Sequence, residues 1–162
     1  MFSSDLRAHA EQLLADARAK GLKLATAESC TGGLIAGLLT EIPGSSDVFE
    51  RGFVTYSNEA KEEMLGVPAA LIRQHGAVSA QVARVMAEGA IRNSTAQLSV
   101  AVTGIAGPGG GTDDKPVGLV HIAAARAGEA TLHRECRFGD IGRTEVRLQS
   151  VEVALELLQS LV

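Results

Sequence analysis

The chain has 162 residues, 46% of them hydrophobic and 21% charged, with a net charge of −4, which suits one domain, residues 1–162, around one buried core. Trp is absent, aromatics make up 3%, and no run of Lys or Arg forms a basic stripe, so a stacking platform and a nucleic-acid partner are excluded, while a small phosphorylated ligand is not. No apolar run approaches the ~18 residues of a membrane span, and Cys30 and Cys136 form no metal pattern, so the expectation is a cytoplasmic protein with reduced thiols, no metal, no cofactor and no membrane partner.

Leu6, Ala10, Leu13, Leu14 and Ala17 recur at helical spacing and predict a helix over 5–20, stopped by Gly21. A short strand over 23–27 runs into Glu28-Ser29-Cys30-Thr31-Gly32-Gly33 and then an apolar helix to about residue 39. Pro43-Gly44-Ser45-Ser46 reads as a loop. A second strand is expected within 48–57, around Gly52-Phe53-Val54-Thr55-Tyr56, and then a helix over 58–65 that ends at Gly66. Ser79 caps a helix to about residue 92, with Val82, Val85, Met86 and Ala90 inward. A buried strand over 97–103 ends in the Gly-rich segment Gly104 to Gly111. Strands over 117–125 and 131–138 flank a hairpin at Gly128-Glu129. The last helix covers 142–161, with Val151, Ala154, Leu155 and Leu158 on one face. Early alternation of helix and strand with a late hairpin predicts an α/β fold. It is three-layer α/β/α, with a mixed, mostly parallel sheet flanked by helices on both faces.

Four segments carry candidate chemistry. Glu28 to Gly33 sits where a strand hands over to a helix, the place where open α/β sheets bind ligands. Its glycines let backbone approach a ligand, and helix-start amides around Cys30 to Gly32 can face an oxyanion. Ser29 is a candidate nucleophile there, unless it or Thr31 serves only as an N-cap. Cys30 is the rival nucleophile, though neighbouring residues of a turn point different ways. His75, His121 or His133 could approach it in space. In the second segment, Tyr56 and Lys61 can reach one pocket from a strand end and a helix start. Lys61 can act as a base only if burial or a neighbouring cation lowers its pKa from about 10.4 toward roughly 7–8; otherwise it is an ordinary surface lysine. The Gly-rich loop after Thr103 can cradle a phosphate or be a plain connection, and it matches neither the P-loop nor the dinucleotide fingerprint. Arg143, at the start of the last helix, is a candidate anion clamp or an exposed arginine.

Taken together, these segments resemble the CinA C-terminal domain family, the nicotinamide mononucleotide deamidases. The resemblance rests on Ala27-Glu28-Ser29-Cys30-Thr31-Gly32-Gly33, Gly44-Ser45-Ser46, and the run from Arg51 to Lys61. It continues through Gln74-His75-Gly76-Ala77-Val78-Ser79, Thr103-Gly104-Ile105-Ala106-Gly107-Pro108, Lys115-Pro116-Val117-Gly118 and Arg143. It covers nearly the whole chain. It implies a three-layer α/β fold that forms homo-oligomers, and hydrolysis of the carboxamide of nicotinamide mononucleotide in pyridine nucleotide salvage. It also implies Ser29 as the attacking hydroxyl and Lys61 as its base. Cys30, Thr31, Gly32, Ser46, Tyr56, Thr103, Gly104 and Arg143 match positions that line the substrate site. The family often reads Gly-Asp-Arg before its last helix, whereas here Ile141-Gly142 separates Asp140 from Arg143. Some members carry a further N-terminal domain, which is not expected here. The alternative function is a non-catalytic nucleotide-binding or regulatory module linked to competence or DNA damage. A third reading is an amidase acting on a carboxamide without a phosphate.

Overall fold

A computed structural model describes residues 1–162. The chain runs α1 (Ser4–Ala19), β1 (Leu24–Glu28), α2 (Leu34–Glu41), a 3₁₀ turn (Ser45–Asp47), β2 (Phe49–Val54), α3 (Asn58–Leu65), α4 (Ala69–His75), α5 (Ala80–Arg92), β3 (Leu98–Gly104), β4 (Leu119–Arg126), β5 (Leu132–Arg137) and α6 (Arg143–Leu161). The strands form one sheet in the order β2-β1-β3-β4-β5. β1 is parallel to β2 and to β3, whereas β4 is antiparallel to both β3 and β5. β4 is therefore the one strand reversed, and the expected mixed sheet is what forms, with two of its four strand pairings parallel.

Side-chain alternation sends the two faces of the sheet into two cores. Leu24, Leu98, Val100, Val102, Val120 and Ile122 pack with the apolar residues of α1, α2 and α6. Ala25, Ala27, Ala101, Ala123 and Ala125 pack with Leu65, Met86, Ala87 and Ala90 of α3 and α5. The alanines leave little depth on that face, so α5 lies close enough for Ser99 Oγ to donate to Ala87 O at 2.6 Å. Where α5 passes the end of α3, a Cβ on Gly89 would lie 2.1 Å from Leu65 O. Replacing Gly89 by Ala gains helix propensity but forces two backbones apart, a net loss of about 1–3 kcal/mol. The expected result is a melting temperature lower by roughly 5 °C. An unchanged melting curve would show that the helices part freely.

β1 lies between β2 and β3. The chain thus leaves β1 toward one side of the sheet through α2 and returns to β3 on the other side through α3, α4 and α5. The crevice beyond the carboxyl ends of β1 and β3 is the topological switch point.

Candidate active site

β1 is hydrogen-bonded on both sides up to its last residue, with Thr55 N–H donating to Glu28 O at 2.9 Å and Ser29 N–H to Val102 O at 2.9 Å. Past this point the chain must turn out of the sheet into α2. Gly32 and Gly33 take φ of +57° and +102°, values that side chains rarely tolerate. Gly33 is also the N-cap of α2 and brings no side chain to it. Glu28 does the capping instead: fully buried, its carboxylate accepts from Ile35 N–H at 2.9 Å and from Ala36 N–H at 3.1 Å. An anion at a helix start is favourable. Neither Ser29 nor Thr31 is therefore needed as a cap; Ser29 Oγ faces α3, and Thr31 Oγ1 is buried without a partner.

α3 opens with Ser57, whose Oγ accepts from Ala60 N–H at 3.0 Å. Lys61 lies in its first turn, and helical side chains lean toward the helix start. The lysine therefore folds back under the strand end, 1% exposed. Its Nζ lies 3.1 Å from Ser29 Oγ, 3.0 Å from Thr55 O, 3.2 Å from Tyr56 O and 3.4 Å from Ser57 O. Burial pushes its pKa below the ordinary 10.5, and the nearby Glu59 carboxylate opposes the shift. Once deprotonated, the amine has two hydrogens and one lone pair. With the hydrogens given to the carbonyls of Thr55 and Tyr56, the lone pair would be left for the Ser29 hydroxyl.

These two residues line a cavity of about 290 Å³ with Cys30, Tyr56, Thr103, Gly104 and Arg143. Arg143 donates from Nη1 to Gly107 O at 2.8 Å and from Nη2 to Tyr56 Oη at 3.0 Å. Its guanidinium so ties the Gly-rich loop to the strand end, and the inserted Ile141-Gly142 does not carry it away. The amides of Gly107, Gly109 and Gly110 donate to no other residue and belong to the same wall. Thr103 Oγ1 donates to Ala77 O at 2.9 Å, fixing the segment before α5. A hydroxyl beside a buried amine whose pKa is lowered, at one end, and a cation with free amides at the other, can perform acyl transfer on an anionic substrate.

The profile of the CinA C-terminal domain family matches residues 6–162. The chain belongs to that family. It is 50% identical over 159 residues to a protein of Escherichia coli K12 named nicotinamide-nucleotide amidohydrolase PncC, covering 98% of this chain and 95% of that one. A CinA-like protein of Synechococcus sp. is also 50% identical, but this chain spans only 38% of its length. The structure of a competence/damage inducible protein, CihA, from Agrobacterium tumefaciens matches with a TM-score of 0.98 and 56% identity, over 99% of this chain and 98% of that one. A CinA superfamily protein of Escherichia coli matches with a TM-score of 0.92 and 33% identity, over 100% and 94% of the two chains.

Not every residue singled out from the sequence reaches the site of this CinA domain. Ser46 is exposed on the 3₁₀ turn that precedes β2. The start of a strand parallel to β1 lies at the amino end of the sheet, opposite the cavity, so within this chain Ser46 does not line it. Thr31 and Gly32 fall outside the cavity wall: Thr31 is buried beneath the turn, and the Gly32 amide is occupied by Ser29 O at 3.0 Å. Cys30 is in the wall, but burial pushes its thiol up to about 12, which keeps it neutral and a poor nucleophile. No histidine lines the cavity; His121 Nδ1 lies 2.9 Å from His133 Nε2, away from Cys30. Sequence reasoning missed Asn58, Ala77 and Val78 in the wall and the cap formed by Glu28. A carboxylate closing an apolar strand just ahead of two glycines was the available signal for that cap. A larger groove of about 630 Å³ between α1 and α6 is lined by Ser3, Leu6, His9, Glu145 and Glu152; its one hydroxyl, Ser3 Oγ, caps α1 by accepting from Leu6 N–H at 3.2 Å.

Proposed function

We propose that this CinA domain hydrolyses the carboxamide of nicotinamide mononucleotide to nicotinate mononucleotide and ammonia. The observation that carries the reading is the 3.1 Å approach of the buried Lys61 amine to Ser29 Oγ. Similarity along nearly the full length of the Escherichia coli amidohydrolase supports the same reaction. Ser29 Oγ attacks the carboxamide carbon as its proton passes to Lys61 Nζ. The tetrahedral oxyanion is met by amides of the Ser29 turn. Lys61 then gives the proton to the departing nitrogen, which leaves as ammonia. A water adds to the acyl carbon, losing a proton to Lys61, and the proton returns to Ser29 Oγ as nicotinate mononucleotide departs. Tyr56, Cys30, Thr103 and Gly104 shape the wall around the ring. The 5′-phosphate lies against Arg143 and the amides of Gly107 to Gly110, a remote anchor that orients the amide. The reading places the reaction in the cytoplasm, in one domain, without metal or cofactor, in a homo-oligomer of CinA domains.

The direct test is ammonia release by the purified protein from nicotinamide mononucleotide and from nicotinamide. Turnover of the nucleotide alone, or at a far higher kcat/KM, is expected. Equal turnover of both would remove the phosphate anchor and leave a general amidase; no release from either would leave a binding module. Arg143→Ala should raise KM for the nucleotide by roughly 10–100-fold, the weight of one charge-assisted contact, while kcat changes much less. A KM unmoved by that substitution would place the phosphate elsewhere.

A further inference from the structure

The loop between β3 and β4 is fastened at a point away from the reacting atoms. Its stem closes where Ile105 N–H donates to Leu119 O at 2.9 Å and Gly118 N–H to Ile105 O at 2.8 Å. Residues 106–111 form its outgoing arm and 112–117 its return arm. At the tip, Thr112 N–H donates to Lys115 O at 2.8 Å and Lys115 N–H to Thr112 Oγ1 at 3.0 Å. From there the half-buried Lys115 donates from Nζ to the carbonyl of His75, the last residue of α4, at 2.5 Å. We propose that Lys115 is a positioning residue for phosphate binding: its clasp on α4 holds the Gly-rich arm in the form whose amides receive the 5′-phosphate.

The outgoing arm cannot hold itself. Gly107, Gly109, Gly110 and Gly111 bring no side chains, and glycine loses the most freedom on ordering. The amides of Gly107, Gly109 and Gly110 donate to no residue, and residues 108–111 are exposed. On the cavity side Arg143 holds the arm through Gly107 O. On the other side the arm leans on the return arm. A Cβ on Gly107 would lie 2.7 Å from Val117 Cγ1, and one on Gly111 would lie 2.7 Å from Val117 N. Val117 can buttress the glycines only while the return arm stays in place, and Lys115 fixes that arm two residues before it. The anchor suits a cation, because the last carbonyls of a helix form the negative end of its dipole. The two carbonyls that follow are also held, Gly76 O by Ser79 Oγ at 2.9 Å and Ala77 O by Thr103 Oγ1 at 2.9 Å. Ala77 and Val78 belong to the cavity wall, so one lysine ties two sides of the cavity together. Amides already in place lose less freedom when an anion binds.

The inference rests on the reading that Arg143 and the amides of Gly107 to Gly110 meet the phosphate, and its test separates the two. kcat and KM are measured for nicotinamide mononucleotide and for nicotinamide riboside, the same ligand without its phosphate. Lys115→Met removes the clasp and keeps the apolar stem; Lys115→Arg keeps a cationic donor. Lys115→Met is expected to raise KM for the nucleotide by about 5–30-fold, at or below the weight of one charge-assisted hydrogen bond, with kcat little changed. Inhibition by inorganic phosphate should weaken by a similar factor. The riboside should be handled as by the unsubstituted protein; if its turnover is too slow to assay, its competitive inhibition constant is read in place of KM. Lys115→Arg should recover most of the affinity for the nucleotide. The proposal is overturned by an unchanged KM for the nucleotide, by a loss in kcat alone, or by equal losses for nucleotide and riboside, the mark of a merely structural role. Should Lys115→Met not fold, Lys115→Gln is read by the same criteria. The unsubstituted protein keeps the two readings apart. If it does not favour the nucleotide over the riboside, the phosphate anchor itself fails; if it does, and Lys115→Met preserves that preference, only the present inference fails.

Discussion

Ser29→Ala will lose ammonia release by at least about 10³-fold, because the acyl-enzyme route needs an oxygen at that position. No neighbour can replace it. Cys30 is in the same cavity, but its thiol, pushed up to about 12 by burial, stays protonated, and no histidine is beside it to take the proton. The substitution removes one oxygen from a site 8% exposed, leaves the Glu28 cap on α2 untouched, and does not alter the wall formed by Arg143 and the Gly-rich loop. Nucleotide affinity and melting temperature should therefore stay close to those of the unsubstituted protein. Equilibrium binding of nicotinamide mononucleotide to the inactive variant, with ammonia assayed in parallel, measures both. Retained turnover would take Ser29 out of the reaction.

Lys61→Met should be nearly as damaging, with kcat down by roughly 10²–10⁴-fold, the usual weight of a general base. It has a second readout that the serine variant lacks. The native pKa of Lys61 is lowered by burial, whereas the unfolded chain keeps the ordinary 10.5. Between the native value and 10.5, the unfolded chain binds a proton that the native protein has released, so stability rises with pH across that window. Below it the native state carries the full cost of a buried ammonium; above 10.5 the cost is gone. Each unit of depression corresponds to about 1.4 kcal/mol. Denaturant unfolding across alkaline pH should show this rise in the unsubstituted protein and a flatter curve in Lys61→Met. In activity, kcat should increase as pH rises through the depressed native value. Parallel stability curves would mean that Lys61 ionises like a surface amine and is no base at neutral pH.

Much of the architecture could be read from periodicity and punctuation. The helix expected over 58–65 is α3, bounded by Ser57 and a left-handed Gly66, and Ser79 caps α5 by accepting from Val82 N–H. What escaped was short or set by tertiary contact. α4 is seven residues long, with Pro68 at its N-cap and no side-chain cap, so neither period nor capping announced it. The second strand, Phe49–Val54, lies within the expected 48–57 but is centred earlier, because the carbonyls of Thr55 and Tyr56 turn to Lys61. α6 was read with one apolar face. It buries Val146, Ser150 and Leu157 as well, since α1 and α2 cover it along with the sheet. In the site, Ser29 and Lys61 stood out only as members of a set of segments. Their meeting depends on a helix start folding under a strand end, which residue spacing does not encode. Ser46 lies apart from the cavity of its own chain for the converse reason: a motif says nothing about which end of a sheet it occupies. Arg147 of α6, which donates to Cys30 O and Thr31 O behind the Ser29 turn, carried no signal, because those carbonyls lie more than a hundred positions away.

The carbonyl cage around Lys61 has an experimental use beyond the reaction. Amine-selective reagents will modify Lys20, Lys23 and Lys115 in the native protein, whereas Lys61, with three backbone oxygens on its nitrogen, is shielded until the segment 55–61 detaches. The labelling rate at this one position thus becomes a clock for local opening of the α3 start, and bound nucleotide should slow it.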